Sequence, residues 1–228
     1  MSQMAVVTRL ALREMWISFR LLLLLAAYIG AGAAVALLPA PPSAVLVRLA
    51  IAVGGAMVAG AAIAGWSLSR ERALGRAAWL ATRSIPRGTI LVGWFIALAL
   101  ISILGITAVG LLGWLAASAP GGRMDPLAFG VTFGAIGCGA IGLLALGLLF
   151  GTLLRPTPAA LVAAIACAAL VGAPWLAAPR IAIPIEALAE LPRLASPVSV
   201  AIQGAGAGLA LAAFMLLAAR VAIERADL

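Results

Sequence analysis

The sequence predicts an all-α integral membrane protein: six transmembrane helices, an N-terminal interfacial helix, and a further cytoplasmic helix between spans two and three. Three observations carry that expectation. Of 228 residues, 65% are hydrophobic and 10% charged, with a mean hydropathy of +1.22, whereas soluble domains run at roughly 45–50% and about 25%. A soluble fold of this size could not hide so much apolar surface, and a disordered chain would not carry it. Apolar runs near the length of about 20 residues that crosses a hydrocarbon core of about 30 Å recur six times. The arginines, finally, are unevenly shared between alternate loops.

The runs follow in order. The first is 21–38, closed by Pro39, Pro41 and Pro42. The second covers about 44–67, interrupted only by Arg48 near its start. The third, 90–117, ends at the Pro120-Gly121-Gly122 turn, and the fourth, 127–154, stops at Arg155-Pro156. The fifth is 159–178 and the last 200–219, all within one membrane domain over 1–228. Three Arg and an acid precede the first run, with no small-residue cleavage site, so it reads as a retained helix and not a signal peptide.

Six spans put both termini on one side. That side holds Arg9, Arg13, Arg20, Arg70, Arg72, Arg76, Arg83, Arg87, Arg155, Arg220 and Arg225; the other holds Arg48, Arg123, Arg180 and Arg193. The positive-inside rule then makes both termini cytoplasmic at the cell's inner (plasma) membrane. The net charge of +8 becomes a topology signal and a contact with anionic lipid headgroups, not a nucleic-acid footprint.

The chain contains neither Lys nor His. A Walker A loop, a Schiff base and a lysine nucleophile are excluded, as are a His-based triad and an imidazole metal site. Cys138 and Cys167 both fall inside apolar runs and read as small buried hydrophobes. No catalytic, cofactor-binding or metal-binding residue is expected. An intramembrane protease would need a Ser–His pair or two intramembrane Asp, and neither is present.

Residues 5–20 read as an interfacial helix: Leu12, Met15, Trp16 and Phe19 recur at helical spacing, with Arg9 and Arg13 elsewhere on the surface. Residues 69–87 carry two organised faces, Leu74, Ala78, Ala81 and Ile85 against Arg72, Arg76, Trp79 and Arg83. A solvated linker has no reason for such order, whereas Trp with Arg is the composition of binding interfaces; a helix held on the inner leaflet by its Arg is the alternative. On the other side, 180–199 is a short amphipathic, re-entrant or interfacial piece, with Pro184 opening it, Pro192 ending it, and Glu186 and Glu190 one turn apart.

The stretch Glu71-x-x-x-Gly75, Thr82, Arg87, Ile90, Leu91 and Gly93 resembles the cytoplasmic loop of ABC-2 type transporter permeases, with Ala73 where that family carries a second acid and Trp94 where it commonly has Lys. The resemblance implies a permease subunit that pairs with a second copy or a homologous permease and docks on cytoplasmic ABC ATPase subunits. Segment 69–87 would be its coupling helix, with Glu71, Arg72, Gly75, Arg76, Trp79, Arg83 and Arg87 meeting the ATPase. ATP and Mg would belong to the partner, so the chain would not itself be an enzyme. Export is favoured over import, because no outside domain or large loop suits a binding protein.

An ion-coupled secondary carrier and a non-catalytic membrane scaffold are the rival readings. Carriers need ionisable groups near the midplane, yet every acid (Glu14, Glu71, Asp125, Glu186, Glu190, Glu224 and Asp227) reads as lying at or beyond a membrane edge. That pattern suits external drive and an amphipathic or lipid-like substrate. Arg48, Gln203, Glu186 and Glu190 are the candidate pathway or exit residues; snorkelling competes for Arg48 and helix packing for Gln203. Gly130, Gly134, Gly137, Gly139, Gly142, Gly147 and Gly151 of the fourth span, and Gly204, Gly206 and Gly208 of the sixth, read as helix-packing positions.

Overall fold

A computed structural model describes residues 3–37, 42–75, 85–118, 125–172 and 197–225. Among these residues every regular element is helical, as expected: α1 (Gln3–Ile17), α2 (Arg20–Leu37), α3 (Pro42–Ala73), α4 (Arg87–Ala117), α5 (Pro126–Leu153), α6 (Pro156–Gly172) and α7 (Pro197–Arg225). Proline opens α3, α5, α6 and α7, where its fixed φ suits the first turn and its missing N–H costs nothing. Asp125 caps α5, its carboxylate accepting from the Leu127 amide at 3.0 Å.

Six crossing helices were expected; by length and composition four of the described helices qualify alone, α3, α4, α5 and α7. The chain bends by 75° between α1 and α2, which together make a fifth candidate. The shortfall is one of length. At 18 and 17 residues, α2 and α6 rise only about 25–27 Å. The expected remainder of the fifth run, 173–178, lies outside the described residues.

Two boundaries move. The second run was expected to stop at 67, but α3 continues to Ala73, so the first residues of segment 69–87 form its tail. Gly75, at φ +70°, closes that tail in the left-handed conformation glycine adopts freely. The N-terminal helix covers 3–17, and Arg20, expected at its end, instead opens α2. Helix α1 also buries a stripe against the protein. Val7, Ala11 and Met15 face inward, with α4 as the main neighbour, while Trp16 and Phe19 are exposed.

Helix α5 is central, packed by α3, α4, α6 and α7. Lipid tails are as apolar as Leu, so helices associate through close contact and not by hydrophobic exclusion. The α3–α5 crossing meets that need with small residues one turn apart, Ala61 and Gly65 against Gly147 and Gly151. A Cβ at Gly151 would sit 2.7 Å from the Gly65 carbonyl oxygen, and one at Gly147 would strike the Ala61 carbonyl. Helices α5 and α7 meet in the same way, a Cβ at Gly142 lying 2.7 Å from the Gly208 oxygen. Outward, Leu104, Leu111 and Leu115 of α4, Leu161 and Ile165 of α6, and Phe214 and Leu217 of α7 are all exposed. Such a surface is stable only in hydrocarbon.

The packing expectation thus holds for Gly142, Gly147, Gly151 and Gly208. It fails for Gly130, Gly134, Gly137 and Gly206, where an added Cβ would meet nothing within 4 Å. Gly147→Val should therefore push α3 from α5 and destabilise the chain by about 3 kcal/mol or more, while Gly137→Ala should change stability by no more than about 1 kcal/mol. Thermal unfolding in detergent distinguishes the two.

Candidate functional site

The loop ends from α1/α2, α3, α4, α5 and α7 converge at one end of the bundle, where the arginines gather. Its geometry starts at the elbow. Ser18 and Phe19 separate α1 from α2, and Phe19 adopts φ +59°, a left-handed conformation that costs a side chain roughly 1–2 kcal/mol. The Phe19 amide donates to the Trp16 carbonyl at 3.1 Å, closing α1, and the Phe19 carbonyl accepts from Leu23 at 2.9 Å, opening α2. One strained residue stands at the 75° bend between α1 and α2, and Arg20 follows it into the bundle.

Arg20 is 1% exposed and Glu71, near the end of α3, 5%. The Arg20 Nη2 donates to Glu71 Oε1 at 3.2 Å. The Arg20 guanidinium also lies 5.1 Å from the centroid of the Trp66 ring, and the Arg70 guanidinium 5.3 Å from the same ring, within the range of cation–π attraction. The Arg20 Nε and Nη1 are buried with no acceptor among the described residues. The tail of α3 is thereby joined to the elbow by a charge pair with an aromatic face beside it.

The same tail closes the end of α5. Helices leave their last four carbonyls without partners. Arg72 Nη1 donates to the Thr152 carbonyl and, at 3.3 Å, to that of Gly151. Ser69 Oγ donates to the Leu154 carbonyl at 2.6 Å. Cations are favoured at a helix C-terminus. Arg87, at the start of α4, makes longer contacts to the final carbonyls of α7, 3.4 Å to Ile223 and 3.5 Å to Glu224. The Arg220–Glu224 pair beyond it is exposed, at 2.8 Å, and contributes little.

These contacts locate the residues expected to meet an ATPase. Glu71 is the clearest departure from expectation, being turned inward to Arg20. Arg72 and Arg87 cap neighbouring helices. Ala73, Leu74 and Gly75 are exposed. Arg76, Trp79 and Arg83 lie outside the described residues. Of the candidate pathway residues, Arg48 on α3 and Gln203 on α7 are each exposed, and Glu186 and Glu190 lie outside the described residues. No group of His, Cys, Asp and Glu suited to a metal occurs among the described residues. Sequence reasoning missed Arg20. The available signal was an arginine opening an apolar run and an acid just beyond another, two ends that a hairpin brings level.

No family model matches the chain, and no curated protein matches it at a significant level.

Arg20→Ala should take from the buried Glu71 the partner that Arg20 provides and lower stability by about 3–5 kcal/mol. Arg20→Met with Glu71→Leu should recover most of that loss, since a well-packed apolar pair can replace a buried ion pair. Unfolding temperatures of the two variants in detergent check the order.

Proposed function

We propose that the chain is the membrane-spanning permease subunit of an ATP-driven ABC transporter, exporting an amphipathic or lipid-like substrate and coupled to separate cytoplasmic ATPase subunits. On this reading the arginine-rich end and both termini face the cytoplasm, the chain crosses the membrane six times, and a second permease completes the pathway. The ATP and Mg sites belong to the partner.

The observation that carries the proposal is the Arg20–Glu71 clamp. It ties the elbow to the tail of α3, which runs unbroken for 32 residues from Pro42. A push on 76–84, the segment that follows the tail, would act at once on the elbow, on α3 and, through Arg72 and Ser69, on α5. Three transmembrane elements would then move as a unit, which is what a chain driven from outside the bilayer requires. Because Glu71, Arg72 and Arg87 are engaged within the chain, the docking surface reduces to the exposed turn at 73–75 and to Arg76, Trp79 and Arg83.

Arg76→Glu with Trp79→Ala should abolish co-purification of the ATPase while leaving membrane insertion intact. Recovery of the ATPase at wild-type yield would count against the assignment, as would transport by the chain alone in vesicles on an ion gradient. Purifying the complex from its native membrane and identifying its subunits by mass spectrometry names the partner directly.

A further inference from the structure

A groove of about 590 Å³ opens between α4 and α5, lined by Ile103, Thr107, Gly110 and Trp114 on one wall and by Phe129, Gly130, Phe133, Gly134, Gly137 and Ile141 on the other. Its volume falls in the range of roughly 300–1,000 Å³ that accepts small-molecule ligands. Both walls belong to candidate membrane spans. From Gly130 to Ile141 the groove follows α5 for about 17 Å at 1.5 Å per residue. We propose that it seats one acyl chain of a bilayer phospholipid, with the ester carbonyl of that lipid accepting from the Trp114 indole N–H.

Three observations support this occupant. Gly130, Gly134 and Gly137 leave open space where side chains would stand, unlike the glycines further along α5 that touch α3 and α7. Phe129 and Phe133 stack at 5.5 Å between ring centroids, and the Phe133 ring lies against Gly110, where a Cβ would come within 2.7 Å. One aromatic wall is therefore fixed and does not fill the space. Trp114, at the end of the groove near Pro126, has its indole N–H buried with no acceptor among the described residues. A buried donor without an acceptor is costly. The backbone carbonyls of a helix from a second copy are already engaged within that helix and are the poorer acceptors. A phospholipid offers both parts, an apolar chain for the groove and a carbonyl for its end. Tryptophan commonly serves this boundary, its ring apolar and its N–H polar. The inference goes beyond the transport proposal and does not require an ATPase.

The test uses the full-length chain in vesicles of phosphatidylethanolamine and phosphatidylglycerol, doped with a phosphatidylethanolamine carrying a diazirine on one acyl chain. Irradiation followed by peptide mass spectrometry should label 129–141 above the outward face of α7. Gly134→Leu fills the open space and should cut that labelling by roughly tenfold while labelling of α7 is unchanged. Trp114→Phe keeps the wall and removes the donor, and should cut it by about fivefold, the equivalent of one hydrogen bond. A circular dichroism spectrum and gel-filtration profile matching wild type show that each variant is folded. Equal labelling of 129–141 in folded Gly134→Leu would overturn the proposal. So would protein–protein crosslinks from 130–137 in place of lipid adducts, which would assign the groove to a second copy.

Discussion

Backbone contact between α3 and α5 is the constraint on which the rest of the molecule rests. Where the surrounding medium is as apolar as the side chains, helices depend on close approach and interhelical hydrogen bonds. Ala61 and Gly65 achieve it against Gly147 and Gly151. The crossing also sets register. One turn beyond Gly65 stands Ser69, which reaches the carbonyl of Leu154, three residues beyond Gly151. Arg72, a further turn on, reaches Gly151 and Thr152. The polar closure of the arginine-rich end is thus a consequence of the apolar crossing above it, and a side chain on either glycine would move both.

The buried pair adds position more than stability. Removing two charges from water costs several kcal/mol per ion, and the attraction between them offsets this only with good geometry and further hydrogen bonds. Arg20 and Glu71 share a hydrogen bond at 3.2 Å, with Trp66 beside the guanidinium. What the pair does is choose one angle for the elbow among the many that a two-residue break allows. Phe19 in its left-handed conformation opposes that angle by roughly 1–2 kcal/mol, so the clamp and the crossing must hold it there.

Much of this was legible in sequence. Run lengths and prolines located the helices, and the Arg census anticipated that Arg20, Arg72, Arg87 and Arg220 gather at one end. The direction of individual side chains was not legible. Glu71 and Arg72 read as surface residues because the apolar run ends at Ser67, yet α3 continues past it and the α2 end lies level with its tail. Phe19 carries no signal for a positive φ, since Gly or Asn normally fills such a place. The glycines of α5 are one residue type with two uses. Gly147 and Gly151 face carbonyls of α3, whereas Gly130, Gly134 and Gly137 face open space, and only the neighbours differ.

Helix length ties the two ends of the molecule together. At 32 residues, α3 is about 48 Å long, and roughly 30 Å suffices to cross the hydrocarbon. The surplus of about 18 Å is taken up by tilt and by projection beyond the hydrocarbon. Trp66, flanked by Arg20 and Arg70, has the composition of a residue at headgroup depth. Counting from it, Gly75 lies nine residues on, about 13 Å further along the helix direction. On the proposed topology the tail would carry the turn at 73–75 past the headgroups while Arg20, Ser69 and Arg72 hold its base. On that reading a push on the turn would pass along α3 and, through Arg20, Ser69 and Arg72, to α2 and α5, whichever partner supplied it.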